Sequence, residues 1–281
     1  MSGTKRDLED KTEPQAKKRK ITSNNTDEKE NSQPNANSDN QSKKKLDSKP
    51  KLIVPDLPFI IVFITGNAGK LKETKAGLGD KIGKYLINYK IDLDEIQDSP
   101  EAIAKKKLNE GIKQINSILN DIITDDKTRK YKKPLISILV EDTSLSLNKL
   151  SNDKCSFPGP FIKFWLKGSN CGTLYDVLNA NGGTDFGAKA LCCFGYKELN
   201  CDAKIIKGEV DGKIVKPKGK NGFGWDPVFC RNDKNDNNLT FAEMDLDTKN
   251  ILSHRSIAVE KLKEYLANKV SNIEKHANQY M

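Results

Sequence analysis

Residues 59–73, FIIVFITGNAGKLKE, decide the fold. The apolar run FIIVFIT is rich in Ile, Val and Phe, the pattern of a strand covered on both faces. It stops at Thr65, a small glycine-flanked turn follows, and Lys70 opens a stretch of helical character. Strand, tight loop and helix in this order make a corner suited to a phosphate. Gly66 and Gly69 let backbone N–H groups turn inward, and the helix start points its positive end at the same spot. Thr65 and Asn67 add short polar side chains and Lys70 adds a charge. The same residues also suit an ordinary strand-to-helix turn with a lysine cap, and this stretch alone does not separate the two. A Walker A loop is excluded, because Ile64 stands where its first glycine belongs and Leu71 where its Ser or Thr belongs. The dinucleotide fingerprint G-x-G-x-x-G is absent as well.

Outward from this corner, LKETKAGLG predicts a short helix ended by Gly77 and Gly79, and YLINYKIDL a second strand over 85–93. Ser99-Pro100-Glu101 reads as a helix start, with a capping serine, proline at the first helical position and an early acid. Ala104, Leu108, Ile112, Ile115, Leu119 and Ile122 keep helical spacing beyond it. PLISILVED (134–142) is the clearest buried strand, and PGPFIKFWL starts another helix. AKALCCFGY and AKIIKGEV read as neighbouring strands, with Asp211-Gly212 as a hairpin signal leading into KIVKP. The final helix, SHRSIAVEKLKEYLANKV, is capped by Ser253 and buries Ile257, Leu262, Tyr265 and Leu266. Alternating strands and helices followed by hairpins predict an α/β domain with a mixed sheet.

Residues 1–58 contain no aromatic residue, and ITSNNTDEKENSQPNANSDNQSKKK typifies them. Such a segment buries too little apolar surface to offset its ordering entropy, so residues 1–57 are expected to be a disordered tail and 58–281 a single domain. The formal charge is +9; the tail carries 13 basic and 10 acidic residues, which leaves +6 for the domain. That excess suits a polyanionic ligand, or a solvated lysine-rich surface. The six cysteines form no C-x-x-C pair and read as reduced, mostly buried thiols. No signal peptide or long apolar span is seen, so a cytoplasmic protein without membrane contact is expected. Lys5-Arg6 and Lys17-Lys18-Arg19-Lys20 have the form of a two-part nuclear import signal, though such clusters also arise in any lysine-rich tail.

Three further stretches carry chemistry. ILVEDTS puts Glu141 and Asp142 at the carboxyl end of a buried strand, where open α/β sheets place ligands. Successive strand residues face opposite ways, so one of the two acids is expected to point at a given site; a structural acid capping the next turn is the other reading. NGFGWDPVF sets aromatics on a glycine-hinged turn, suited to stacking on a base or to flanking the turn from the core. SHRS supplies one of two histidines, at a helix start, where capping or packing is its commonest use.

Taken in order, TGNAGK, VEDTSL, PGPFIKF, GFGWDPVF, TFAEM and KNILSHR resemble the inosine triphosphate pyrophosphatase family, which removes non-standard purine nucleotides. The resemblance runs from Phe59 to about Leu266 and omits the tail and an added SNDKCS before Phe157. It implies a mixed α/β fold of two lobes with the active site in the cleft between them, a homodimer, and magnesium-dependent hydrolysis of a nucleoside triphosphate to monophosphate and pyrophosphate. Manganese is implied as a possible substitute. By the same resemblance Thr65, Gly66, Asn67, Ala68, Gly69 and Lys70 hold the triphosphate. Glu95, with Asp94 beside it, and Asp142 bind the metal, and Asp142 is the base for the attacking water. Lys107 and Lys163 reach phosphate oxygens and Thr143 bonds beside the metal site. Phe223 stacks on the purine, Gly224, Trp225 and Asp226 shape its pocket, and Lys249, His254 and Arg255 complete the base site. Two rivals stand beside this reading. A nucleic-acid binder needs a basic stripe with interleaved aromatics, whereas the aromatics here gather in GFGWDPVF and PGPFIKF, so no stable nucleic-acid complex is expected. The other keeps fold and ligand but acts on a different nucleotide, such as a modified pyrimidine.

Overall fold

The computed structural model describes residues 54–125, 127–233 and 237–281, except the side chains of 117, 120–122, 124 and 125. The expected disorder and import signal of the tail therefore lie outside the described residues, as does the Ile122 side chain. Contacts of the domain begin before Leu57: Arg129 donates to the carbonyls of Val54 and Pro55, and Asp56 accepts from the backbone of Lys130 and Tyr131.

The chain builds a seven-stranded mixed sheet with helices on both faces, as the sequence predicts. Strand β1 (Phe59–Ile64) is buried at every residue and lies parallel to β2 (Leu86–Tyr89) and β3 (Leu135–Leu147). Strand β5 (Gly187–Glu198) adds to β3 antiparallel, then β6 (Lys204–Ile214) and β7 (Phe229–Arg231) continue in the order β2-β1-β3-β5-β6-β7. The two-residue β4 (Pro158–Gly159) pairs with the far end of β3.

Alternation along β1 explains the layers. Phe59, Ile61 and Phe63 face α1 (Ala68–Gly83) and α6 (His254–Lys275), packing with Leu78, Leu262 and Leu266. Ile60, Val62 and Ile64 face α2 (Pro100–Asp125), against Leu108, Ile115 and Leu119. Each such side chain contributes about 1.5–3 kcal/mol on burial. A third core fills the second lobe, where Leu145, Leu147, Ala188, Val210 and Phe229 meet α4 (Gly172–Ala180) through Leu174 and Leu178. Strand β3 runs from one core, through Ile136 and Ile138, into the other, through Leu145 and Leu147, and its middle residues border the crevice.

Local differences from the sequence reading have physical causes. Helix α1 continues to Gly83 through a kink at Gly79 (φ 66°), a backbone that glycine adopts without strain. Asp211-Gly212 is no turn: β6 passes straight through it, because Phe229 and Cys230 of β7 cross Gly212 too closely for a side chain. Tyr265 is 39% exposed at the edge of α6, its ring against Tyr196. All six cysteines are free, but only Cys192, Cys193 and Cys230 are buried; Cys155 and Cys201 are exposed. Among the described residues no helix is long and apolar enough to cross a membrane.

The start of α6, which carries His254 and Arg255, rests directly on β6. A Cβ at Gly208 would stand 2.2 Å from the His254 carbonyl oxygen and 2.4 Å from the Ala258 nitrogen. Both are backbone atoms, so no rotamer change relieves the clash. Gly208→Ala is expected to lose about 1–3 kcal/mol in urea unfolding, and an unchanged midpoint would contradict this packing.

Candidate active site

The crevice encloses a cavity of about 730 Å³ bounded by the end of β1, the segment after β2, the middle of β3, and the starts of α3 (Ile162–Gly168) and α6. At its floor, the Thr65 hydroxyl accepts from the Asn67 N–H at 3.1 Å, and the Asn67 side chain caps α1 by accepting from the Lys70 N–H at 3.0 Å. The capping asparagine is why the helix starts here. Thr65, Gly66, Asn67 and Lys70 border the cavity; Ala68 and Gly69 do not, sitting back in the first turn with Gly69 against the Phe223 ring.

Strand β3 sends its two acids to opposite faces, as the strand reading expects, and both border the cavity. Glu141 lies 2.7 Å from Lys70 Nζ and 3.3 Å from the Arg255 guanidinium, and accepts from the Thr143 hydroxyl at 2.6 Å. Burial pushes its pKa up, but Lys70 and Arg255 outweigh that and hold the carboxyl well below its usual range. On the other face Asp142 Oδ1 accepts from Lys107 Nζ at 2.6 Å, while its buried Oδ2 has no hydrogen-bond partner among the described residues.

Glu95 reaches the same place from the segment after β2, 2.6 Å from Lys163 Nζ and 3.6 Å from Lys107 Nζ. Lys107 thus stands between two carboxylates. Burial lowers its pKa, and Asp142 and Glu95 together raise it further, so it stays charged. Burial raises the Glu95 pKa too, but Lys163 and Lys107 bring it below its ordinary value. Asp94 turns to Lys106 at 3.6 Å and does not border the cavity, whereas Glu95 does. Among the described residues no group of three or more His, Cys, Asp or Glu could hold a metal by itself. Two converging carboxylates, one with a free buried oxygen, do fit a hard ion that takes its remaining ligands from phosphate and water.

At the opposite end, Phe223, Gly224, Trp225 and Asp226 form a tight turn, in which Asp226 Oδ2 accepts from the Phe223 N–H at 2.7 Å. Burial raises the Asp226 carboxyl pKa against the pull of Lys249, 2.6 Å away. Trp225 is 6% exposed and packs on Phe229, Phe241 and His254, flanking the turn from the core. Lys249 does not border the cavity. It is buried beneath it, bonded to Asp226 and Glu73, with its ammonium 4.8 Å over the Phe223 ring. Arg255 is likewise tied down, to Glu73, Glu141 and the Thr143 hydroxyl, leaving Nε without a partner.

One chain of charges therefore links the Thr65–Lys70 corner to the aromatic turn: Lys70, Glu141, Arg255, Glu73, Lys249, Asp226. The sequence reading missed Glu73 as a member and left Glu141 without a role. Two cations expected in the site had to have partners, which was the available signal; nothing in the spacing says that α1 supplies one.

His254 is 2% exposed, lies 5.1 Å from the Trp225 ring, and has neither ring nitrogen partnered. Burial and the Arg255 charge push its pKa well below 6.5, so the ring is neutral. Under acid the unfolded chain takes up a proton on this ring that the folded chain refuses, so stability falls as pH drops below about 6.5, with a slope of up to about 1.4 kcal/mol per pH unit from this group. Thermal melts of wild type and His254→Phe between pH 7.5 and 5 check this: the variant should lose less stability across the range, and parallel curves would refute it.

A phosphate-type loop, a lysine-bridged carboxylate pair and an aromatic-walled pocket in the cleft of a mixed α/β fold define a nucleotide hydrolase class. The chain belongs to the Ham1 family, whose family model matches residues 61–265. It is 35% identical over 224 residues to the inosine triphosphate pyrophosphatase of Candida albicans strain WO-1, covering 73% of this chain and 97% of that protein. Among solved structures, the Ham1 protein of Staphylococcus aureus superposes with a TM-score of 0.55 at 23% identity, over 74% of this chain and 99% of that one. A HAM1 protein from Coxiella burnetii gives 0.58 at 24%, over 75% and 99%. At those identities the two structures speak for the fold.

Proposed function

We infer that this cleft hydrolyses purine nucleoside triphosphates carrying hypoxanthine or xanthine (ITP, dITP and XTP) to the monophosphate and pyrophosphate, cleansing the nucleotide pool. The observation that carries the reading is the meeting of Asp142, Glu95 and Lys107 in one cavity with the Thr65–Lys70 corner at its floor. The triphosphate lies along that corner, held by the first turn of α1 and by Lys70, with Lys107 and Lys163 on its oxygens. Asp142 accepts the proton of a water that attacks the α-phosphorus in line. The electron pair of the α–β bridging bond leaves with pyrophosphate, whose growing charge the lysines offset. Glu95 and Asp142 would hold a magnesium ion, or manganese in its place. When bound, such an ion supplies charge neutralisation at the phosphate oxygens.

The purine stacks on Phe223, with Gly224, Trp225 and Asp226 behind it. Arg255 Nε is a donor only, and the neutral His254 offers one N–H. Both suit the 6-oxo acceptor of hypoxanthine or xanthine, whereas the 6-amino group of adenine would face a donor. Sites built on such bonds discriminate by up to about 10⁴-fold. Lys249 acts from behind, by fixing Asp226 and the ring of Phe223.

A panel of purine and pyrimidine triphosphates, assayed for pyrophosphate with magnesium, tests the reading. ITP and XTP should be consumed far faster than ATP, CTP and UTP; equal rates on ATP, or a preference for a pyrimidine, would remove it. We further propose a cytoplasmic homodimer, as the family resemblance implies, and a sedimentation mass of one chain would overturn the dimer. The basic clusters of residues 5–20 also suggest nuclear entry; even distribution of a fluorescent fusion of residues 1–25 would dismiss it.

A further inference from the structure

Five lysines border the cavity: Lys70, Lys90, Lys107, Lys163 and Lys167. Three are committed to carboxylates, Lys70 to Glu141 at 2.7 Å, Lys107 to Asp142 at 2.6 Å and Lys163 to Glu95 at 2.6 Å. Lys167 sets its ammonium 5.4 Å over the Phe164 ring. Among the described residues, the Lys90 ammonium has neither an ion pair nor a hydrogen bond nor a ring beneath it. Asp92, two residues on, also borders the cavity and is not paired with it.

Lys90 is exposed and lies along the Thr65–Lys70 corner. Its stem runs over the phosphate loop, with Cε and Cγ 3.6 and 3.8 Å from where a Gly66 Cβ would stand. Asn88, two residues earlier, donates to the carbonyls of Phe63 at 3.1 Å and Thr65 at 3.0 Å, fastening this end of β2 to the same loop. The result is an exposed cation at the cavity edge beside the Thr65–Lys70 corner, with no anion among the described residues to neutralise it.

We propose that Lys90 is a further substrate-binding residue, contacting the phosphate chain from the outer side of the Thr65–Lys70 corner. The proposal rests on the pyrophosphatase reading above. Its role is binding rather than chemistry, since Asp142, Glu95 and Lys107 are grouped on β3, the post-β2 segment and α2 and do not involve it.

The test uses the full chain with magnesium. Binding of inorganic tripolyphosphate is measured by calorimetry, and kcat and KM for ITP by pyrophosphate release, for wild type, Lys90→Ala and Lys90→Arg. Loss of one charge-assisted contact should weaken tripolyphosphate binding about tenfold in Lys90→Ala and raise KM by a similar factor, with kcat nearly unchanged. Lys90→Arg should recover most of the loss, and the melting temperature should not move, because no protein hydrogen bond or ion pair is removed. Tripolyphosphate affinity in Lys90→Ala within about twofold of wild type overturns the proposal, as does a wild type that binds no tripolyphosphate. Failure of the wild type to act on ITP would instead strike the pyrophosphatase reading, and tripolyphosphate binding would still decide the case of Lys90.

Discussion

Asp142→Asn leaves a folded protein whose kcat on ITP falls by about 10²–10⁴-fold, the usual worth of a positioned base. The exchange keeps the size of the side chain and removes its capacity to accept a proton. Folding survives because Lys107 keeps a second carboxylate, Glu95, at 3.6 Å. Asp142 Oδ2 has no protein partner to lose, and its strand neighbours are fixed by the β3–β5 ladder, which pairs Asp142 with Cys193. Pyrophosphate release and a thermal melt on the same sample separate the two effects. Near-normal turnover would falsify the assignment of the base.

Arg255→Ala has the largest expected effect on stability. The guanidinium is 2% exposed and serves Glu73, Glu141 and Thr143 at once. Its removal takes from Glu73 one of two cations and from Glu141 one of two, both carboxylates being buried. Breaking a buried ionic group by deleting one member costs about 3–5 kcal/mol. Lys163→Ala, at a half-exposed pair with Glu95, should cost no more than about 1 kcal/mol. Urea unfolding of the two variants gives the contrast, and a loss below about 1 kcal/mol for Arg255→Ala would show that the network is not a stabilising unit. The resemblance places Arg255 in the base site. The geometry makes it a structural member of the site as well, so a changed ITP over ATP ratio in Arg255→Ala is informative only where the variant is folded.

The architecture was legible because its signals are local and strong. The run Phe59–Ile64 is apolar at every position and buried at every position. Ser99 before α2 and Ser253 before α6 mark helix starts through bonds that span three residues. Asp211-Gly212 misled because the close passage of β7, a contact from elsewhere in the chain, demanded the glycine. The site divides the same way. The ordered motifs point to the residues that surround the cavity, since each motif carries its own local geometry. What they conceal is which charges pair. Glu73 meets Arg255 and Lys249 across more than 170 residues, and no periodicity encodes that encounter. The same gap placed Lys249 in the pocket rather than beneath it and left Lys90 unnoticed.

Turnover of ITP in water enriched with oxygen-18, with mass spectrometry of both products, tests the central claim most directly. If a water activated at the carboxylate of β3 attacks the α-phosphorus, the heavy oxygen appears in the monophosphate and the pyrophosphate leaves unlabelled, one for each ITP consumed. Label in pyrophosphate or in released orthophosphate would contradict the account.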